Sequence, residues 1–327
     1  MRRSKDDGEP RARKKVTMPL TQFMANEVAP LADIISFCNN IPMSLYADST
    51  VIKSPEVVFR GQMFSRNRFL SEEFLLNFRR SEADFGIVVG TNNYTMPMAV
   101  GAMANRDTEE DEENFIPLPP FQNVRAPIGP VIRSRRSVRQ YSGNPLSLQD
   151  LSTVLYHSAG VSGRLDLENP PDSVALEESD HIDLRTAVSG GGLYPVDLYV
   201  VALNIEHLAN GTYRFNAKHH ALVPVGKAEE IPALSSLGQF GDIQAEKSAF
   251  LLCYVYNLFE NARKYGDMGM GFAFMEAGAI ATQVHLIGTA MGFGSCDVGS
   301  YRKSRFEHLL KVDGISKHMI HLTVVGK

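Results

Sequence analysis

The chain has 327 residues, a length that accommodates two domains, or one large domain with an appendage. Apolar residues make up 44% and charged residues 21%, which argues against wholesale disorder. Lys and Arg number 33 against 37 Asp and Glu, a formal net charge of −4, so no global field favours nucleic acid or an anionic membrane.

Residues 1–15 hold seven Lys or Arg and three Asp or Glu with almost no apolar side chains, and residues 1–17 are predicted to be a mobile basic tail. No apolar segment follows Arg2, Arg3 and Lys5, so no signal peptide is expected. Runs such as Leu31 to Ile35 and Phe74 to Leu76 recur at helical spacing, which predicts a small helical region over 18–105. Six acids in the eight residues Asp107 to Asn114, then Pro117, Pro119 and Pro120, read as a linker over 106–124. A second domain is expected over 125–327.

In that domain Ser147-Leu148-Gln149-Asp150 fits a capping box, followed by Leu151, Val154 and Leu155 on one helical face and Gly160 as a stop. Leu198 to Leu203, Phe250 to Tyr256 and Ile320 to Val325 have the β-branched and aromatic character of strands. The apolar stretch Phe272 to Phe293 carries Glu276, Gln283 and His285, and is read as a buried helix rather than a membrane span. A short helix is predicted to open at Ser304, with Glu307 three residues on, and to close before Gly314. Strands separated by helices predict an α/β or α+β sandwich. Cys38, Cys253 and Cys296 form no Cys-x-x-Cys pair, which suits a reduced, cytoplasmic protein. The histidines show no metal-site spacing, and no metal is expected.

Four segments have the composition of a site. Arg133 to Tyr141 packs four arginines and two serines into nine residues, suited to phosphate and equally to a solvated turn. Ser189-Gly190-Gly191-Gly192-Leu193-Tyr194-Pro195 allows close backbone approach to a flat ring or an anion, or is a flexible turn. Lys264 beside Tyr265 gives two proton carriers, and an ammonium next to a phenol favours the phenolate; adjacent Lys and Tyr are also common on plain surfaces. Gly292 to Tyr301 is punctuated by glycines that either cap a helix or bare their amides to a ligand, with Cys296 as a small buried hydrophobe.

Taken together and in this order, Arg-Arg-Ser-x-Arg-x-Tyr, Ser-Gly-Gly-Gly-Leu-Tyr-Pro, Arg-Lys-Tyr-Gly, Glu-x-Gly and Gly-x-x-x-x-Gly-x-Tyr resemble the nitroreductase-like FMN oxidoreductases. Within them the chain is similar to the SagB-type azoline dehydrogenases of streptolysin S-like peptide biosynthesis. The resemblance covers about residues 125–327. It implies an α+β, three-layer sandwich and an intertwined, cytoplasmic homodimer with FMN at the interface, for which an apolar helix over 272–293 suits the contact. Arg135, Arg136, Ser137 and Arg139 match the segment that holds the FMN phosphate and reaches the pyrimidine edge. Ser189, Gly190 and Gly191 match the loop against the ring, and Gly299 and Ser300 the backbone at its reactive side. Lys264 and Tyr265 match the catalytic pair. Glu276 and Gly278 match the helix motif, but the family's usual Gln is Thr282 here, with Gln283 next. The implied activity is oxidation of peptide thiazolines and oxazolines to azoles with dioxygen as final acceptor, beside a YcaO-type cyclodehydratase acting on a leader-bearing precursor peptide. The rivals are an NAD(P)H-dependent nitro- or quinone reductase and a non-catalytic scaffold of a synthetase complex.

Overall fold

The structure, a computed structural model, describes residues 114–166 and 181–327. The basic tail, the helical region and the acidic run expected upstream lie outside the described residues. Eleven strands are present among the described residues: β1 (Ile116–Pro117), β2 (Leu146–Ser147), β3 (Val161–Asp166), β4 (His181–Arg185), β5 (Val196–Ala202), β6 (Ile205–Glu206), β7 (Gly211–Asn216), β8 (Ala221–Lys227), β9 (Phe250–Asn257), β10 (Gly294–Asp297) and β11 (Lys317–Gly326). The α-helices are α1 (Ile128–Ser134), α2 (Leu148–Ala159), α3 (Leu234–Leu237), α4 (Leu258–Tyr265), α5 (Met268–Met291) and α6 (Lys303–Leu309).

The three runs that read as strands become β5, β9 and β11, adjacent in a seven-stranded antiparallel sheet of order β1-β8-β7-β5-β9-β11-β10. Successive strand residues point to opposite faces. Leu198, Val200, Leu252, Tyr254 and Tyr256 therefore meet α2 and α5, while Tyr199, Val201, Leu251, Cys253 and Val255 meet α3 and α6. Both faces are covered, so the runs are apolar without alternation. Leu251 and Leu252 are both fully buried on opposite sides, and each contributes roughly 2 kcal/mol. The α+β three-layer sandwich is present.

The capping box forms at α2: Ser147 Oγ accepts from Asp150 N and Asp150 Oδ2 accepts from Ser147 N. The helix expected at Ser304 starts one residue earlier at Lys303, with no side-chain cap. Glu307 instead turns inward, accepting from Met319 N and pairing with Lys303. The Pro-rich part of the segment read as a linker is docked on the domain. There β1 pairs with β8, Phe121 stacks on Tyr156 at 3.4 Å, and Thr153 Oγ1 accepts from Gln122 N. Folded chain thus reaches back to residue 115, ahead of the boundary expected at 125.

By length and composition α5 could cross a membrane. It packs instead against α2, α4, β10 and β11, with Glu276 and His285 buried and hydrogen-bonded. It is apolar on its other face too, where Phe274 and Met275 are exposed beside Gly278.

Candidate active site

The glycine loop enters β5 and α4 leaves β9. Since Val196 pairs with Tyr256, both lie at one end of the central strands. The loop is tied at every turn. Thr186 N donates to Gly160 O, Thr186 O accepts from Gln283 Nε2 at 3.0 Å, and Ser189 Oγ accepts from Tyr194 N. Val196 N donates to the buried Glu276. Tyr194 has φ of +47°, a strained value for a non-glycine residue. Its hydroxyl accepts from Arg185 N, and the Arg185 guanidinium lies 5.0 Å from the centre of its ring.

Lys264 and Tyr265 form the last turn of α4, before Gly266 at φ +56°. Asn261, buried, holds that turn: its Oδ1 accepts from Tyr256 Oη and its Nδ2 donates to Gly269 O at the start of α5. The Tyr265 ring stands edge-on to Phe272 at 5.0 Å. A Cβ on Gly190 would lie 3.2 Å from that same Phe272. Most telling is Gly191, at φ +66°: a Cβ there would collide with Tyr265 Oη and lie 2.9 Å from Lys264 Nζ. The second and third segments thus converge on one point, with Gly191 itself exposed.

The first and fourth segments meet elsewhere. Ser137 forms a parallel bridge with Ser295 of β10, Val138 N donates to Ser295 O, and Val138 fills the space where Gly294 lacks a Cβ. The Arg136 guanidinium is turned back on the Arg133 and Arg135 carbonyls, and Arg139 pairs with exposed Asp242 at 3.6 Å. Arg135 makes no side-chain hydrogen bond or ion pair among the described residues, and Ser137 is exposed. Past β10, Ser300 O accepts from Gln239 N, Ser300 Oγ donates to Gln239 O, and Tyr301 bridges to Gly238, with Gly299 exposed. Phe272 marks the first group on α5 and His285 the second. The 13 residue steps from one to the other span about 20 Å of helix.

One group of polar residues escaped the sequence reading. His285 Nε2 lies 3.0 Å from Asp297 Oδ2 and His285 Nδ1 2.6 Å from Ser295 Oγ. Thr323 Oγ1 donates to Asp297 Oδ1, and Tyr254 Oη in turn reaches Thr323 Oγ1. His321 Nε2 is 3.1 Å from Asp297 Oδ1, at ion-pair distance. Burial raises the Asp297 pKa, but His285, His321 and Thr323 outweigh it and hold the carboxyl far below the usual range. A depressed carboxylate stabilises the fold above its unfolded pKa of about 4, and that contribution is lost as pH falls. The urea midpoint of Asp297→Asn should therefore lie below that of the parent at neutral pH and approach it on acidification. Parallel curves would refute this. The only sequence signal was polar alternation, Ser295 with Asp297 and His321 with Thr323, which gains meaning once the strands are paired.

Among the described residues no group of three or more His, Cys, Asp or Glu could hold a metal ion. An antiparallel sheet between two helical layers, with a glycine loop and a proton-carrying pair at one end of its central strands, defines a nitroreductase-like fold. The Nitroreductase family model matches residues 132–327, and the chain belongs to that family. A Methanocaldococcus jannaschii protein provisionally named a nitroreductase is 27% identical over 212 residues, covering 65% of this chain and 96% of that one. A crystal structure from Ralstonia eutropha, also provisionally named a nitroreductase, is 21% identical with a TM-score of 0.50, covering 67% of this chain and 91% of its own. The Escherichia coli microcin synthetase complex with a truncated pro-microcin bound contains a chain 19% identical with a TM-score of 0.48, covering 76% and 99% respectively. A likeness at that level carries no functional weight.

Proposed function

We propose that this chain is an FMN-dependent azoline dehydrogenase, oxidising thiazoline or oxazoline rings in a ribosomally made peptide to thiazoles or oxazoles. The observation that carries the reading is the convergence of Lys264 Nζ and Tyr265 Oη on the bare backbone of Gly191. The sequence resemblance to SagB-type enzymes supplies the substrate class.

The residues fit FMN. Arg135, without a side-chain partner among the described residues, and the exposed Ser137 form a donor set for phosphate, next to Arg136 and Arg139. Ser189, Gly190 and Gly191 offer backbone rather than side chain to a flat ring. Since they lie about 20 Å along α5 from the group that holds the arginine segment, Gly299 and Ser300, one flavin draws on two chains of the homodimer: the glycine loop of one copy, and from the other the phosphate donors with Gly299 and Ser300 at the reactive side. FMN supplies the two-electron acceptor that a protein side chain cannot, and dioxygen, leaving as hydrogen peroxide, is the final oxidant. The ring loses a proton from Cα and a hydride from Cβ. We assign the Cα proton to Tyr265 Oη, with Lys264 Nζ 5.3 Å from the centre of the same ring. Gln283 and Glu276 position the loop, through Thr186 O and Val196 N.

On this proposal the partners are an azoline-bearing precursor peptide, a YcaO-type cyclodehydratase and a second copy of the chain. The exposed Phe274, Met275 and Gly278 face of α5 suits the homodimer contact. Anaerobic mixing of the FMN-loaded protein with a thiazoline peptide should bleach the flavin and remove two hydrogens from the peptide together. Bleaching by NAD(P)H but not by peptide would make the chain a reductase. A colourless protein that binds no flavin would make it a scaffold.

A further inference from the structure

We propose that His285 is a positioning residue for phosphate recognition: it latches the edge strand β10 to α5, and β10 sets the segment that carries Arg135 and Ser137. The inference rests on the FMN reading given above.

His285 is buried, and both ring nitrogens are engaged by alternate residues of one short strand, Ser295 and Asp297. With Nε2–H given to the Asp297 carboxylate, Nδ1 of a neutral ring accepts from the Ser295 hydroxyl. Serine, histidine and aspartate in a row resemble a nucleophile relay. Ser295, however, is only 2% exposed, so the row acts as a fastening rather than a reactive group. It is needed because β10 is weakly held. Four residues pair with β11 on one side, and on the other side the Ser137–Val138 segment is hydrogen-bonded to β10 at Ser295, by the backbone bridge and the Val138 N to Ser295 O bond, with Val138 packed over Gly294 and the Tyr141 hydroxyl reaching Val138 O and Val324 O of β11. A short edge strand holds little by its own ladder. The same Asp297 accepts from Thr323 of β11, so one carboxylate joins β11, β10 and, through His285, α5. Ser295 thus carries the latch on its side chain and the phosphate segment on its backbone.

The test compares FMN with riboflavin, which shares the ring and ribityl chain but lacks the phosphate. The full-length chain, freed of bound flavin by dialysis, is titrated with each while flavin fluorescence is followed. For His285→Leu the FMN Kd is expected to rise about tenfold while the riboflavin Kd stays within about twofold. His285→Asn retains an acceptor for Ser295 and His285→Gln a donor for Asp297, so at least one should recover FMN binding. Ser295→Ala, which removes one anchor for the loss of a single oxygen, keeps the test open if His285→Leu does not fold. Equal weakening of both flavins would mean general loosening and would overturn the latch, as would no change in either. A parent chain that binds neither flavin would overturn the cofactor reading itself, and this inference with it.

Discussion

Tyr265→Phe is expected to slow single-turnover azole formation by about 10² to 10⁴-fold, the range of a lost general base, while FMN stays bound. The substitution is narrow because the ring is held independently of its hydroxyl. Its edge-on contact with Phe272 survives, and Asn261 fixes the turn of α4 from below. Only Oη leaves the point shared with Lys264 Nζ. Quantifying azole by mass against flavin bleaching in one anaerobic shot reads the effect. Full activity in Tyr265→Phe, with loss in Lys264→Ala, would exchange the roles of the pair. Full activity in both would return them to the surface.

Gly191→Ala should lower the same rate by about 10²-fold, since displacing a reacting group by an ångström costs that much. Two effects act at this position. The left-handed backbone, at φ +66°, costs an alanine about 1 kcal/mol, and the new methyl collides with Tyr265 Oη. Gly192 separates them, because it has the same φ but open space where its Cβ would go. Gly192→Ala should therefore match Gly191→Ala in urea midpoint loss from backbone strain while keeping most of the rate. If the two variants are equally slow, strain in the loop rather than displacement of the pair is responsible.

The sequence made the central strands legible because each is a continuous apolar run, and burial on both faces demands nothing else of them. Strands β7 and β8 are not legible in composition: Thr212, Arg214 and Asn216 dilute the apolar signal of β7, which pairs with β5, and Pro224 and Gly226 interrupt β8, which pairs with β7. The capping box at Ser147 was readable as a local rule. Ser304 obeyed the same rule and failed, because the Glu307 that would complete a box is drawn to Met319 N across the fold. At the site, each segment had an innocuous alternative when taken alone. Gly191 with Lys264 and Tyr265 is a contact across more than seventy residues, and no spacing rule reaches that far. Gln283 illustrates the converse. One position away from the expected turn, it still finds Thr186 O, since hydrogen bonding depends on the direction a helix presents rather than on the count of residues.

The place of β11 in the sheet has a consequence for synthesis. Within the sheet of the described residues, β9 and β10 are joined only by β11, which is made after both. Until Lys317–Gly326 clears the ribosome, the nascent chain carries an open gap in its sheet, with one apolar edge of β9 exposed and β10 without its ladder partner. Glycine loop and α4 can take shape beside β5 and β9 early, whereas the arginine segment has no strand to lie on until the gap closes. A ribosome-stalled chain ending before residue 317 should thus be far more open to protease between 290 and 300 than a released one, and should hold no flavin.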